Sequence, residues 1–218
     1  EIVLALLMTP AEYDAHCLHD AMARLGTNET VLTEILSTRN DKELADVQEQ
    51  YKKAFKTDLE KDIKGDTSGN FQEMLLELLK GQRNQGLQVN IEEARGDAEH
   101  LNENGEIDMV TKGATFLNIL VKKNRAQVKA TFEEYKKLYG HDIYHGIVKL
   151  MMGDAKEGYI GLAKAVEDPL SFYAEKFHEC FAGKGTNDRE LIRLVVSRSE
   201  IDLEFIKVRY REIYKKTL

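Results

Sequence analysis

The chain of 218 residues has no tryptophan, two prolines and two cysteines. So little proline leaves long helices uninterrupted. Cys17 and Cys180 are too few, and lie in segments too helix-like, to read as a disulfide framework; they read as packing residues of a reducing compartment. No run of 18 apolar residues occurs, so no segment reads as a membrane-crossing helix. No signal-peptide pattern is read either, although the chain opens on "EIVLALLM" without an initiating Met. An excess of positive charge is also missing. The formal net charge is −7 with both signs interspersed, whereas nucleic acid asks for a basic stripe and an acidic bilayer for juxtamembrane bases. No stretch alternates with period two for long enough to be a strand.

What remains is rich in Leu, Glu, Lys and Ala, a composition that leans helical. The chain also repeats itself. Shifted by about 159 positions, Pro10 falls on Pro169, His19 on His178 and Gly26-Thr27-Asn28 on Gly185-Thr186-Asn187, while Arg39 falls on Arg198 and Tyr51 on Tyr210. A weaker middle copy answers "VQEQYKKAFKTDL" (Val47–Leu59) with "FEEYKKLYGHDI" (Phe132–Ile143). Two periods of about 80 residues are longer than the common helical repeats. "EIVLALLM" resembles "EMLLELLK" (Glu73–Lys80), so residues 1–8 read as the last helix of a preceding repeat. Full repeats follow over 9–81 and 82–168, and 169–218 reads as a repeat that stops part-way, as in a piece of a longer array.

Each full repeat reads as five helices, an all-α architecture. Pro10 suits the first helical position, and Gly26 can end that helix in a left-handed cap. Thr27 or Asn28 then caps the second helix, whose apolar stripe is Val31, Leu32, Ile35 and Leu36. The third shows Leu44, Val47, Tyr51 and Phe55. A short fourth, around Asp58–Lys64, stops at "KGDTSG". The fifth buries Phe71, Met74, Leu75, Leu78 and Leu79 on one face.

"RLGTNE" (Arg24–Glu29), then, with 38 residues between it and Thr27, the acid of "KGDTSG", resembles the repeat signature of the annexins, calcium-dependent phospholipid-binding proteins. The resemblance covers essentially the whole chain, the copies being similar to the second, third and fourth annexin repeats. It implies an array of five-helix, right-handed helical bundle domains and Ca²⁺ at the helix corners. The first corner would offer the carbonyls of Met22, Arg24 and Gly26 and the carboxylate of Asp66. Ca²⁺ takes six to eight hard oxygens, glycine lets a tight turn aim successive carbonyls at one point, and open positions would pass to water or a lipid phosphate. One carboxylate implies weak intrinsic affinity, about 10⁻⁵ to 10⁻³ M. An ion held between two anions lets an acidic protein bind an acidic membrane surface, reversibly and from the cytoplasm. Read without the resemblance, the same Gly-Thr-Asn turn serves as a C-cap followed by an N-cap.

The copies depart from the signature in different ways. Arg24 stands where annexins usually have Gly. The last copy, "FAGKGTND", has the fuller loop, with Phe181, Gly183 and Gly185 as carbonyl donors, but its acid would fall past Leu218. In the middle copy Val110-Thr111 replaces Gly-Thr, and "KLMMGDAKEG" places Asp154 and Glu157 near the matching corner with an apparent insertion; this copy is expected not to bind Ca²⁺ in the same mode, or to bind it in an altered way. Glu29 and Asp188 suit minor sites or, more simply, helix N-termini; Leu25 and Lys184 sit at loop tips. His141 and His145 share a helical face without a third zinc ligand, "GDTSG" is not Gly-x-Ser-x-Gly, and no phosphate loop is present, so no catalytic set is read. The expected function is therefore Ca²⁺-dependent docking on acidic phospholipid. A helical-repeat scaffold for protein or cytoskeletal partners, its calcium loops degenerate, is the alternative.

Overall fold

In the computed structural model, residues 2–23, 26–103, 106–107 and 113–218 are described. Among them, after α1 (Ile2–Leu6), a first five-helix unit comprises α2 (Pro10–Met22), α3 (Glu29–Thr38), α4 (Asp41–Phe55), α5 (Leu59–Asp66) and α6 (Gly69–Leu79). The second comprises α7 (Ile91–His100), α8 (Gly113–Lys122), α9 (Arg125–Tyr139), α10 (Ile143–Leu150) and α11 (Gly153–Glu167). A third begins with α12 (Pro169–Glu179), α13 (Asp188–Arg198) and α14 (Leu203–Tyr214). The all-helical reading gains one amendment: β1 (Asn102–Glu103) and β2 (Glu106–Ile107) pair antiparallel, a ladder too short to leave a periodic signal.

The helices start and stop for local reasons. Pro10 opens α2 behind a reciprocal Thr9–Glu12 capping box, and Asn40 with Glu43 does the same for α4, each satisfying two orphan donors. Left-handed residues close α4 at Lys56 (φ 59°) and α14 at Lys215 (φ 56°). Those two positions are 159 apart, and other details recur at the same offset. His19 stacks on Phe55 with centroids 3.8 Å apart, and His178 on Tyr214 at 3.8 Å.

The apolar stripes read from the sequence are buried. Val31, Leu32, Ile35 and Leu36 join Leu44, Val47, Tyr51 and the α6 set in one core that continues into the second unit through Phe116, Leu120, Val128, Ile147 and Leu162. The third unit keeps a separate core of Phe172, Tyr173, Phe177, Leu194, Ile206 and Tyr210. The first two units close on each other where α11 crosses α3 and α6. Gly158 permits that approach: a Cβ there would lie 2.7 Å from the Phe71 ring and 2.9 Å from Met74 Cε. Gly158→Leu is expected to lose about 1–3 kcal/mol through overpacking, visible as a lower urea midpoint at unchanged slope.

A polar seam joins the third unit to the first. Arg39 donates to both oxygens of Asp14 at 2.6 and 2.8 Å and to the Tyr173 hydroxyl at 3.1 Å. Tyr173 donates to Thr38 Oγ1 at 3.0 Å. Burial works against the charge of Arg39, and Asp14 outweighs it, holding the guanidinium well above its ordinary pKa. Beside this network, Arg193 of α13 donates to Glu34 of α3 at 2.7 Å.

Candidate functional site: a helix corner closed by Asp66

The turn after α2 is shaped before any ligand is considered. The Ala23 N–H returns to the His19 carbonyl, and the Asn28 N–H reaches back to the Ala21 carbonyl at 2.9 Å. Gly26 holds φ at +88°, where a side chain would be strained. Asn28, and not Thr27, caps α3 by accepting from the Val31 N–H at 3.2 Å. That frees Thr27 for another role. Its hydroxyl donates to Asp66 Oδ2 at 2.7 Å and lies 3.2 Å from the Asp66 carbonyl, tying the α2–α3 turn to the end of α5. The sequence reading placed Thr27 only among the caps; a hydroxyl directly after the turn glycine, with a spare capping residue behind it, is the signal that could have revealed the bond.

Met22 and Asp66 line one shallow cleft of about 330 Å³ together with His19, Ala23, Tyr51, Lys61, Asp62 and Gly65. Two carboxylates enter it, and they are unequal. Asp62 is committed: Tyr51 Oη donates to one oxygen at 2.8 Å and Thr57 Oγ1 to the other at 3.0 Å. Burial and then the bond to Asp62 push the Tyr51 phenol up, so it remains a donor. Asp66 Oδ1 has no partner, and Asp66 no ion pair, among the described residues. Nowhere among those residues do three His, Cys, Asp or Glu side chains converge on a metal position. A cation at this corner would complete its shell with backbone carbonyls, water or a ligand's oxygens, a set that fits a hard-oxygen ion such as Ca²⁺. Of the four residues singled out here, Met22 and Asp66 share this cleft, and Gly26 lies in the turn that Thr27 ties to Asp66; Arg24, like Leu25, lies outside the described residues.

The turn after α12 repeats this geometry. Gly185 has φ +97°, the Asn187 N–H reaches the Cys180 carbonyl at 2.9 Å, and Asn187 accepts from the Glu190 N–H at 3.3 Å. Phe181 and Gly183 lie in this turn, with open space where a Gly183 side chain would stand. In the second unit Val110-Thr111 lie outside the described residues, but the other half of the corner is clear. α5 and α10 are each eight residues long. The glycines that open α6 and α11, Gly69 and Gly153, share φ +59°. No insertion separates the two corners, contrary to the sequence reading: Leu150 stands where Asp66 stands, and Asp154 and Glu157 lie further on, within α11.

The cysteines are free. Burial pushes both thiols up to about 12, and Cys180 Sγ donates to the Lys176 carbonyl at 3.3 Å. Alkylation by iodoacetamide at pH 8 is expected to run on the order of a hundredfold or more slower in the native than in the denatured protein. The His141 and His145 rings lie 5.0 Å apart.

Fold and site together define a class: an array of five-helix units, in the first of which the turn after the first helix meets the turn after the fourth. The comparisons agree. The family model described as Annexin matches residues 13–78, 96–162 and 172–218. Human annexin A13 is 41% identical over 215 residues, covering 99% of this chain and 68% of that protein. Human annexin A1 is 41% identical over 214 residues, covering 98% of this chain and 62% of the relative. Among solved structures, annexin III superposes with a TM-score of 0.92 at 33% identity, covering 100% of this chain and 67% of that one. A calcium-bound annexin (Sm)1 gives 0.86 at 28% identity, covering 99% and 66%. The chain belongs to the annexin family, whose members are calcium-dependent membrane-binding proteins. It spans about two thirds of the length of these relatives. Among the described residues no helix is long and apolar enough to cross a membrane.

Proposed function

We propose that this protein docks reversibly on acidic phospholipid, from the cytoplasm, through Ca²⁺ held at the helix corners. Met22, Arg24 and Gly26 supply carbonyls and Asp66 the carboxylate at the first corner; Phe181, Gly183 and Gly185 supply carbonyls at the second. The ion bridges these oxygens to a lipid phosphate, which overcomes the repulsion expected between a chain of net charge −7 and an anionic surface. Each corner is weak alone, and corners engaging one membrane together reinforce each other through effective concentration. The observation that carries the reading is the Thr27–Asp66 hydrogen bond of 2.7 Å. It holds a carboxylate that is otherwise unpaired among the described residues against the carbonyl-bearing turn.

The test is co-sedimentation with phosphatidylserine vesicles. The protein is expected to pellet with the vesicles in Ca²⁺ and to be released by EDTA. Equal pelleting in both conditions, or none in either, would overturn the proposal.

A further inference from the structure

The α10–α11 corner has kept the backbone of its calcium-type counterpart and lost its polarity. With no insertion between the copies, Val148 stands where Lys64 stands, Leu150 where Asp66 does and Met152 where Ser68 does. Leu150 packs partly into the core. The other two face outward: Met152 is 86% exposed and Val148 57% exposed. Isolated exposed apolar residues are ordinary, but here three polar positions of one corner have turned apolar in its copy.

The direction of this corner follows from the groove between the units. One groove is lined by Lys64 and Asn70 from either side of the first corner and by Met151 and Tyr159 from either side of the second. The N-terminal halves of α6 and α11 also touch, Gly158 against Phe71 and Met74. The two corners therefore flank one groove, and the helices that leave them pack together.

We propose that Met152, with Val148 at the same corner, enters the boundary between lipid head groups and acyl chains when the protein docks, so that the second unit contributes an apolar anchor in place of a bridging ion. The inference rests on the docking reading above. Lys149 and Lys156 balance Asp154 and Glu157 beside the corner, Lys156 pairing with Glu157 at 3.1 Å, so the corner offers no net attraction to an acidic surface, and insertion follows Ca²⁺ binding at the other corners and does not replace it. An unbranched thioether chain suits this role, being flexible and apolar without a fixed shape to match.

The chain has no tryptophan, so Met152→Trp creates a single fluorescent reporter. With phosphatidylserine vesicles and Ca²⁺ its emission is expected to shift to the blue and to be quenched by lipids brominated on the acyl chains; EDTA should reverse both. In parallel, Met152→Ser is expected to weaken Ca²⁺-dependent vesicle binding about tenfold, the effect of withdrawing one apolar side chain from the interface. If the Trp variant pellets with neither shift nor quenching, or the Ser variant binds as tightly as the parent, the anchor is overturned while docking stands. If the parent itself fails to pellet in Ca²⁺, the docking reading falls and the anchor falls with it.

Discussion

Replacing Arg193 by alanine is expected to cost about 3–5 kcal/mol of stability, lowering the melting temperature by roughly 10 °C in a protein of this size. The guanidinium meets both oxygens of Glu34, at 2.7 and 3.3 Å, with the Glu34 side chain 0% and that of Arg193 7% exposed. Burial works against the charge of Arg193; the Glu34 carboxylate outweighs it and holds its pKa high. Removing Arg193 strands a carboxylate in the interior, which is far more expensive than the pair is valuable. Replacing both partners together by apolar residues, Glu34→Leu with Arg193→Met, should therefore recover most of the loss. Urea unfolding of the three variants checks this. A loss below about 1 kcal/mol for Arg193→Ala would mean that water reaches the pair, and the account of the seam would fail.

The pair also explains why the seam escaped the sequence. Glu34 and Arg193 are 159 positions apart, the repeat offset itself, so they are the same site in two copies. The interface between the first and third units is pseudo-symmetric: a position near its axis meets its own counterpart, as in an isologous contact. Asp14 and Tyr173 are counterparts too, as are Arg39 and Arg198, and all four belong to one network: the Tyr173 hydroxyl receives Arg39 at 3.1 Å and Arg198 at 3.4 Å. Faithful duplication would have set Glu against Glu and Asp against Asp. The offset was legible; that the copies face each other was not, because no local pattern encodes which surfaces meet. By contrast, the stripes of α3, α4 and α6 were legible because burial follows the helical period directly. The α10–α11 corner was misread for a third reason. The two acids in "GDAKEG" suggested an insertion at the matching corner, whereas Gly69 and Gly153, with equal φ, fix the register and leave Leu150 in Asp66's place.

At the other corner, Asp66→Asn is expected to raise the Ca²⁺ concentration for half-maximal vesicle binding at least tenfold, while changing stability without Ca²⁺ by no more than about 1 kcal/mol. The amide oxygen of asparagine can still accept from the Thr27 hydroxyl, so the corner remains closed; what is lost is the one uncommitted carboxylate facing it. Affinity for Ca²⁺ depends strongly on the charge contributed by its ligands, and among the described residues this corner has no second acid to spare, since Tyr51 and Thr57 occupy both oxygens of Asp62. Thr27→Val makes the opposite change. It keeps the charge and removes the tie, so it should lower stability in the absence of Ca²⁺ by about 1 kcal/mol and shift the Ca²⁺ requirement only a few-fold. The turn at Phe181–Gly185 is untouched by either substitution and sets a floor beneath the loss. An Asp66→Asn protein that docks at the parental Ca²⁺ concentration would show that this carboxylate does not face the ion, however closely Thr27 holds it to the turn.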